Sequence, residues 1–141
     1  MKNRFFVHGL VIVAMTLASF VSNAISDSGP MVHEAGGLHY MSGGVGEESQ
    51  QLLSARASEF NLKLEFAMTS GAYLSDVKVT IADAKGKKTL LQAISDGPWF
   101  LAKLPVGTYQ VVATYAGKAV ERSIAVDAAS LRTVGFRWDG E

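Results

Sequence analysis

The sequence predicts an all-β domain, a seven-stranded antiparallel β-sandwich that follows a signal peptide, a flexible arm and one short helix. From residue 61 onward, apolar and polar residues alternate in short segments, which is typical of strands with one buried face. Turns that contain Gly or Pro separate these segments. Because seven amphipathic strands can hide their apolar faces only against one another, two packed sheets are expected. The expected segments are the signal peptide over residues 1–24, the flexible arm over residues 25–46, and the short helix with the β-sandwich over residues 47–141.

Residues 1–24 have the order of a secretory signal peptide. Lys2 and Arg4 form a basic start, residues 10–21 form an apolar run, and the sequence Ser-Asn-Ala at 22–24 suits a small-residue cleavage site. A membrane anchor is the alternative, although the apolar run is short for a span that needs about 20 residues. We therefore expect export to the periplasm, or to the outside of the cell, without stable membrane insertion after cleavage.

Composition limits the kinds of partner. The chain has no Cys, so an exported domain of this size cannot rely on disulfides and needs a hydrophobic core. Without Lys2 and Arg4 the 13 basic residues fall to 11, against 13 acidic residues, for a net charge of −2. This balance is not typical of proteins that bind nucleic acid or an anionic membrane surface.

The segment before the strands divides into an arm and a helix. Residues 25–46 are rich in Ser and Gly and show no sustained period, which predicts a flexible linker or an extended arm. Residues 47–59 predict a short helix, because Leu53, Ala57 and Phe60 follow helical spacing and two glutamates occupy the first turn. We expect this helix to cover a sheet edge or one end of the core.

Seven segments have strand character, and Gly86 and Gly117 suit the turns of two hairpins. The alternation predicts that Leu62, Leu64 and Phe66 face inward early in the domain, as do Phe136 and Trp138 at its end. The segments are 61–68, 76–83, 89–95, 99–104, 108–115, 119–127 and 132–138.

Residues 74–126 carry motifs that resemble the carboxypeptidase regulatory-like domain, a member of the transthyretin-like (prealbumin-like) sandwiches. The matching positions are Val77 and Val79 in the first strand, Gly86 in the first turn, Leu104, Pro105, Gly107 and Tyr109 in an "LP.G.Y" signature, and Gly117 in the closing hairpin. Trp99 departs from the pattern, because the family usually has Gly at that place. The resemblance implies an accessory module without chemistry of its own, which binds or interacts.

Two Met–His pairs lie in the expected arm. Met31 and His33 are two residues apart, as are His39 and Met41. Thioether sulfur and imidazole nitrogen together favour Cu(I), so these four residues form a hypothetical copper site in a metal-handling protein of the periplasm. The alternative is a disordered arm with incidental Met and His, since the spacing is short and unspecific.

Two loop aromatics suggest a second hypothesis. Trp99 lies beside a turn and Tyr73 precedes a strand, and related sandwich domains of the starch-binding-like type stack sugars on loop aromatics. A carbohydrate-binding sandwich would use both rings. In the alternative interpretation, Trp99 and Trp138 seal the ends of the core.

Catalysis has little support in the sequence. There is no Cys nucleophile, no G-x-S-x-G elbow and no His in the predicted sheets that could act as a base. We therefore expect no enzyme, and a partner that is another exported protein or a carbohydrate. An exposed edge strand is where a partner could add a strand of its own.

Overall fold

Nine strands in two sheets account for most of residues 31–140, the part of the chain that the computed structural model describes. The predicted signal peptide and the first residues of the arm lie outside this part. Within it, no helix has both the length and the hydropathy that crossing a membrane requires. The elements are β1 (His33–Ala35), β2 (Leu38–Gly43), α1 (Glu47–Arg56), a 3₁₀ turn (Ala57–Glu59), β3 (Leu62–Met68), β4 (Lys78–Asp83), β5 (Thr89–Ile94), β6 (Trp99–Lys103), β7 (Gly107–Tyr115), β8 (Lys118–Val126) and β9 (Arg132–Trp138).

The first sheet has the strand order β1-β2-β6-β3-β9, and the second has the order β5-β4-β7-β8. The predicted all-β architecture of two sheets and one short helix is confirmed. The expected number of seven strands was wrong, because β1 and β2 form within the expected arm. The expectation of purely antiparallel sheets was also wrong, since β3 and β9 pair in parallel from Leu62 opposite Arg132 to Met68 opposite Trp138.

A tight hairpin replaces the flexible conformation expected for the described part of residues 25–46. Gly36 and Gly37 both have positive φ angles, 58° and 78°, which a two-residue hairpin turn of type I′ requires. A Cβ atom on Gly36 would lie 2.6 Å from the carbonyl oxygen of Leu90. Gly36 therefore lets the β1–β2 hairpin close against β5 at one side of the sandwich.

One hydrophobic core lies between the two sheets, and the predicted inward faces of the strands are confirmed. Phe66 stands at its centre, with ring centroids 5.9 Å from Phe136 and 6.2 Å from Trp138. Trp138 is 4% exposed, as expected of a side chain that seals the core. Buried members of this core include Leu62, Leu64, Phe66, Phe100 and Phe136 from the first sheet, and Val79, Ile81, Val111, Ala113 and Ile124 from the second.

A second, smaller core lies on the outer face of the first sheet, beneath α1. The helix covers residues 47–56 of the predicted 47–59, and the 3₁₀ turn completes the range. Leu53 is fully buried and clusters with Met41, Phe60 and Leu101. The helix therefore covers a sheet face, not the sheet edge or core end that was expected. Its apolar contacts stabilise a helix that would be marginal alone.

The chain returns from the second sheet to the first between β8 and β9. Asp127 caps this crossover, because Oδ1 accepts the N–H groups of Ala129 and Ser130 at 2.9 and 3.0 Å. These hydrogen bonds hold the pKa of the Asp127 carboxyl below its usual value. The crossover places β9 beside β3, at the end of the first sheet.

Candidate functional site

The segment before β6 is a structural junction rather than a binding loop. Ser95 is fully buried, and its Oγ accepts the N–H of Val77 at 3.0 Å. The Ser42 hydroxyl accepts the N–H of Asp96 at 2.8 Å and donates to the carbonyl of Trp99 at 3.0 Å. These bonds connect β2, β4 and β6, so the turn residues of this segment serve the fold.

Trp99, one of the two predicted ligand-binding aromatics, packs against the smaller core and is half-buried. The Nζ of Lys63 lies 3.6 Å from the centroid of its ring, and the same Nζ is 3.3 Å from a carboxylate oxygen of Glu65. A Cβ atom on Gly44 would lie 3.1 Å from Cγ of Trp99. The ring face beneath Lys63 is therefore not open for a sugar to stack on.

Tyr73, the other predicted aromatic, is 63% exposed. It lies opposite Ala67 in an isolated bridge, while Trp99 lies opposite Glu65. Because Ala67 and Glu65 are two residues apart on β3, the structure places Tyr73 and Trp99 on the same outer face of the first sheet. Of the two side chains, Tyr73 alone is largely exposed.

The four residues of the hypothetical copper site lie on the β1–β2 hairpin and just before it, but they do not converge. His33 stacks on Tyr40 with ring centroids 5.1 Å apart, whereas His39 lies on the opposite face, because side chains alternate along a strand. Met41 is fully buried beneath α1, and Met31 is 60% exposed. Within residues 31–140, no three His, Asp or Glu side chains are grouped as metal ligands.

Within residues 31–140, strand β9 forms an open edge of the first sheet. The N–H of Arg132 donates to the carbonyl of Asn61 at 2.9 Å, and the carbonyl of Trp138 accepts the N–H of Thr69 at 2.8 Å. In a parallel pair, alternate residues direct their backbone groups to the same neighbour, so the even-numbered residues of β9 face β3. The backbone groups directed away from β3, which we call the open edge, belong to Thr133, Gly135 and Arg137.

The other three edges of the sheets are less suited to pairing. Strand β1 has three residues, and the ladder of β5 is irregular opposite Ile81 and Ala82. Strand β8 carries a charged residue, Arg122, at an inward position, a feature that protects edge strands from pairing. By contrast, the β3–β9 register is continuous over seven residue pairs.

Two basic residues of β8, Arg122 and Lys118, lie near the inner face of β9. The Cζ of Arg122 lies 5.6 Å from the ring centroid of Phe136 on β9. The backbone carbonyl of Lys118 accepts the indole N–H of Trp138 at 3.0 Å, which brings the start of β8 to the end of β9. The ion pairs within the described residues are Arg56–Glu59 and Lys63–Glu65, so neither Arg122 nor Lys118 is ion-paired there.

Sequence reasoning recognised β9 as a strand but did not identify it as the open edge. The order of strands in a sheet depends on long-range packing, which alternation does not reveal. One local signal was present on β8, where Arg122 interrupts an inward stripe between Val120 and Ile124. An inward charge between apolar residues indicates an edge strand. This signal could have identified β8 as an edge strand, on the same side of the sandwich as β9.

A scan against protein-family models finds no match for this chain, and a search of curated proteins finds none either. The resemblance of residues 74–126 to the carboxypeptidase regulatory-like domain therefore stays a prediction from its motif residues.

Proposed function

We propose that this chain is an exported, non-catalytic binding module of the carboxypeptidase regulatory-like type. It engages another exported protein through the open edge of β9. The observation that carries the proposal is the regular seven-residue ladder of β9, whose outward backbone groups at Thr133, Gly135 and Arg137 have no strand beside them within residues 31–140. Such an edge can take up an extended peptide as an additional strand, with main-chain hydrogen bonds giving affinity.

The "LP.G.Y" residues support the assignment to this type of domain. Tyr109 is 7% exposed, and its hydroxyl donates to the carbonyl of Pro105 four residues earlier. Leu104 is 2% exposed and belongs to the main core. The signature therefore fixes the corner between β6 and β7, the folding role that the resemblance implies for these residues.

Blocking the edge with proline tests the proposal. The N–H of Thr133 points away from β3, so Thr133→Pro removes an outward donor and leaves the β3–β9 ladder intact. Thr133→Ala is the matched control, because it changes the same side chain and keeps the N–H. We expect affinity capture from periplasmic extract to recover the same partner with the wild-type protein and Thr133→Ala, and to lose it with Thr133→Pro. Capture by a folded Thr133→Pro variant at wild-type yield would contradict the proposal.

A further inference from the structure

Two basic residues of β8 occupy inner-face positions beside β9. Arg122 lies opposite Val111, which is fully buried in the main core, and Lys118 lies opposite Tyr115. Directly opposite residues of an antiparallel pair share one face, so both basic side chains belong to the face that looks towards the first sheet. Because β8 is itself an edge strand, these side chains reach solvent at the side of the sandwich where β9 is open.

A strand added to β9 would bring alternate side chains to this basic position. The side chains on the inner face of the added strand would lie directly beside those of Phe136 and Trp138 of β9, in the same two rows across the sheet. The guanidinium of Arg122 lies over Phe136, and Lys118 and Trp138 line the same cleft, so these rows lead to Arg122 and Lys118. Carboxylates at alternate positions of the added strand would therefore meet the two cations.

The other charges near the edge are of both signs, and those that oppose an acidic partner are partly offset. Glu65 lies opposite Gly135 on the outer face of the first sheet and is ion-paired with Lys63 at 3.3 Å. The guanidinium of Arg137 lies over the outer face of β9, where its Nη1 donates to the carbonyl of Phe136 at 3.2 Å and would be 3.3 Å from a Cβ atom on Gly135. Glu121 belongs to the opposite face of the second sheet, because it alternates with Arg122 along β8. Asp139 lines a cleft of about 240 Å³ together with Lys118, so Arg122 is the stronger determinant of the two β8 cations.

We infer that the segment captured at the open edge is an acidic one, an extended peptide with Asp or Glu at alternate positions. This inference rests on the proposed function and names the chemistry of its partner. Arg122 and Lys118 are exposed, so the attraction is screened by salt, and it supplies selectivity more than affinity.

The test uses two peptides of about eight residues, the length of an ordinary strand. One alternates Glu with Thr, and the other alternates Lys with Thr. Binding is followed through the backbone amide resonances of Thr133, Gly135 and Arg137 in the ¹⁵N-labelled protein at low salt. We expect the Glu-Thr peptide to shift these resonances with an affinity about tenfold higher than that of the Lys-Thr peptide. Arg122→Gln should remove most of this preference, whereas the matched control Lys85→Gln, in the exposed β4–β5 hairpin, should retain it.

The outcomes separate the inference from the proposed function. Equal affinities of the two peptides at the three amides would overturn the acidic preference and leave strand addition intact. Full selectivity in Arg122→Gln would also overturn the acidic site. If neither peptide shifts the resonances of Thr133, Gly135 and Arg137, then both the acidic preference and strand addition at β9 are wrong.

Discussion

The side-chain amide of Asn61 forms two hydrogen bonds with the backbone of Leu104. Its Nδ2 donates to the Leu104 carbonyl at 2.7 Å, and its Oδ1 accepts the Leu104 N–H at 2.9 Å. Asn61 is 2% exposed, and the same Nδ2 lies 3.3 Å from the carbonyl of Asp127 in the crossover. One buried amide thus connects the start of β3, the corner after β6 and the crossover that delivers β9 to the sheet edge.

Asn61→Ala should strongly destabilise the protein. The substitution leaves the N–H and carbonyl of Leu104 buried without their partners, at a cost of about 3 kcal/mol in the free energy of unfolding. Urea denaturation followed by tryptophan fluorescence measures the loss. Gln92→Ala, an exposed change in β5, is the control and should alter stability by less than about 0.5 kcal/mol. Equal stabilities of the two variants would show that Asn61 does not hold the corner.

Tyr109 should make the fold sensitive to alkali. Burial raises the pKa of its phenol above the ordinary value of 10.0. Below the unfolded-state pKa both states keep the proton, and as pH rises past it the unfolded state loses the proton first, so stability falls. Tyr109→Phe should lose about 1 kcal/mol at neutral pH, because the hydrogen bond to Pro105 is gone. It should also show a shallower decline of melting temperature above pH 10 than the wild-type protein. Parallel declines in the two proteins would argue against a buried phenol.

One substitution in the turn between β7 and β8 should make the protein more stable. Ala116 has φ 49° and Gly117 has φ 77°, the two positive angles of a type I′ turn. Alanine is strained in this region, whereas asparagine tolerates it, so Ala116→Asn should raise the free energy of unfolding by about 0.5–1 kcal/mol. Ala119→Asn, at an exposed position of β8, is the control and should not stabilise. Thermal melts of both variants give the comparison.

Export should remove the first 24 residues. The predicted cleavage after Ala24 gives a mature chain that begins at Ile25. Intact-mass spectrometry of the protein from a periplasmic fraction checks the expected mass. Full-length chain retained in the membrane fraction would instead support the membrane-anchor alternative.

The two missed strands show what alternation can and cannot predict. Strands β3, β4 and β7 have one face in the main core, so their apolar residues alternate clearly. Strand β2 is covered on both faces, because Tyr40 packs towards the main core and Met41 is buried under α1. An apolar residue on each face removes the alternation, and the glycines that flank β2 look like those of a linker.

The candidate site was less predictable than the strands. Trp99 is easily recognised in the sequence as an aromatic residue beside a turn, yet its ring packs against Lys63 and the smaller core. The open edge depends on the parallel pairing of β3 with β9, between residues about 70 positions apart in the chain. Alternation predicts that Phe136 and Trp138 face the core, but it does not indicate which strand lies beside β9, because the crossover decides that.

Amide hydrogen exchange at β9 tests strand addition most directly. In the free protein, the amides of Val134 and Phe136 should exchange slowly, because they face β3, while those of Thr133, Gly135 and Arg137 should exchange rapidly. Saturation with the Glu-Thr peptide should slow the second group by at least about tenfold and leave the first group unchanged. Slow exchange of all five amides in the free protein, or no added protection with bound peptide, would contradict a partner strand at this edge.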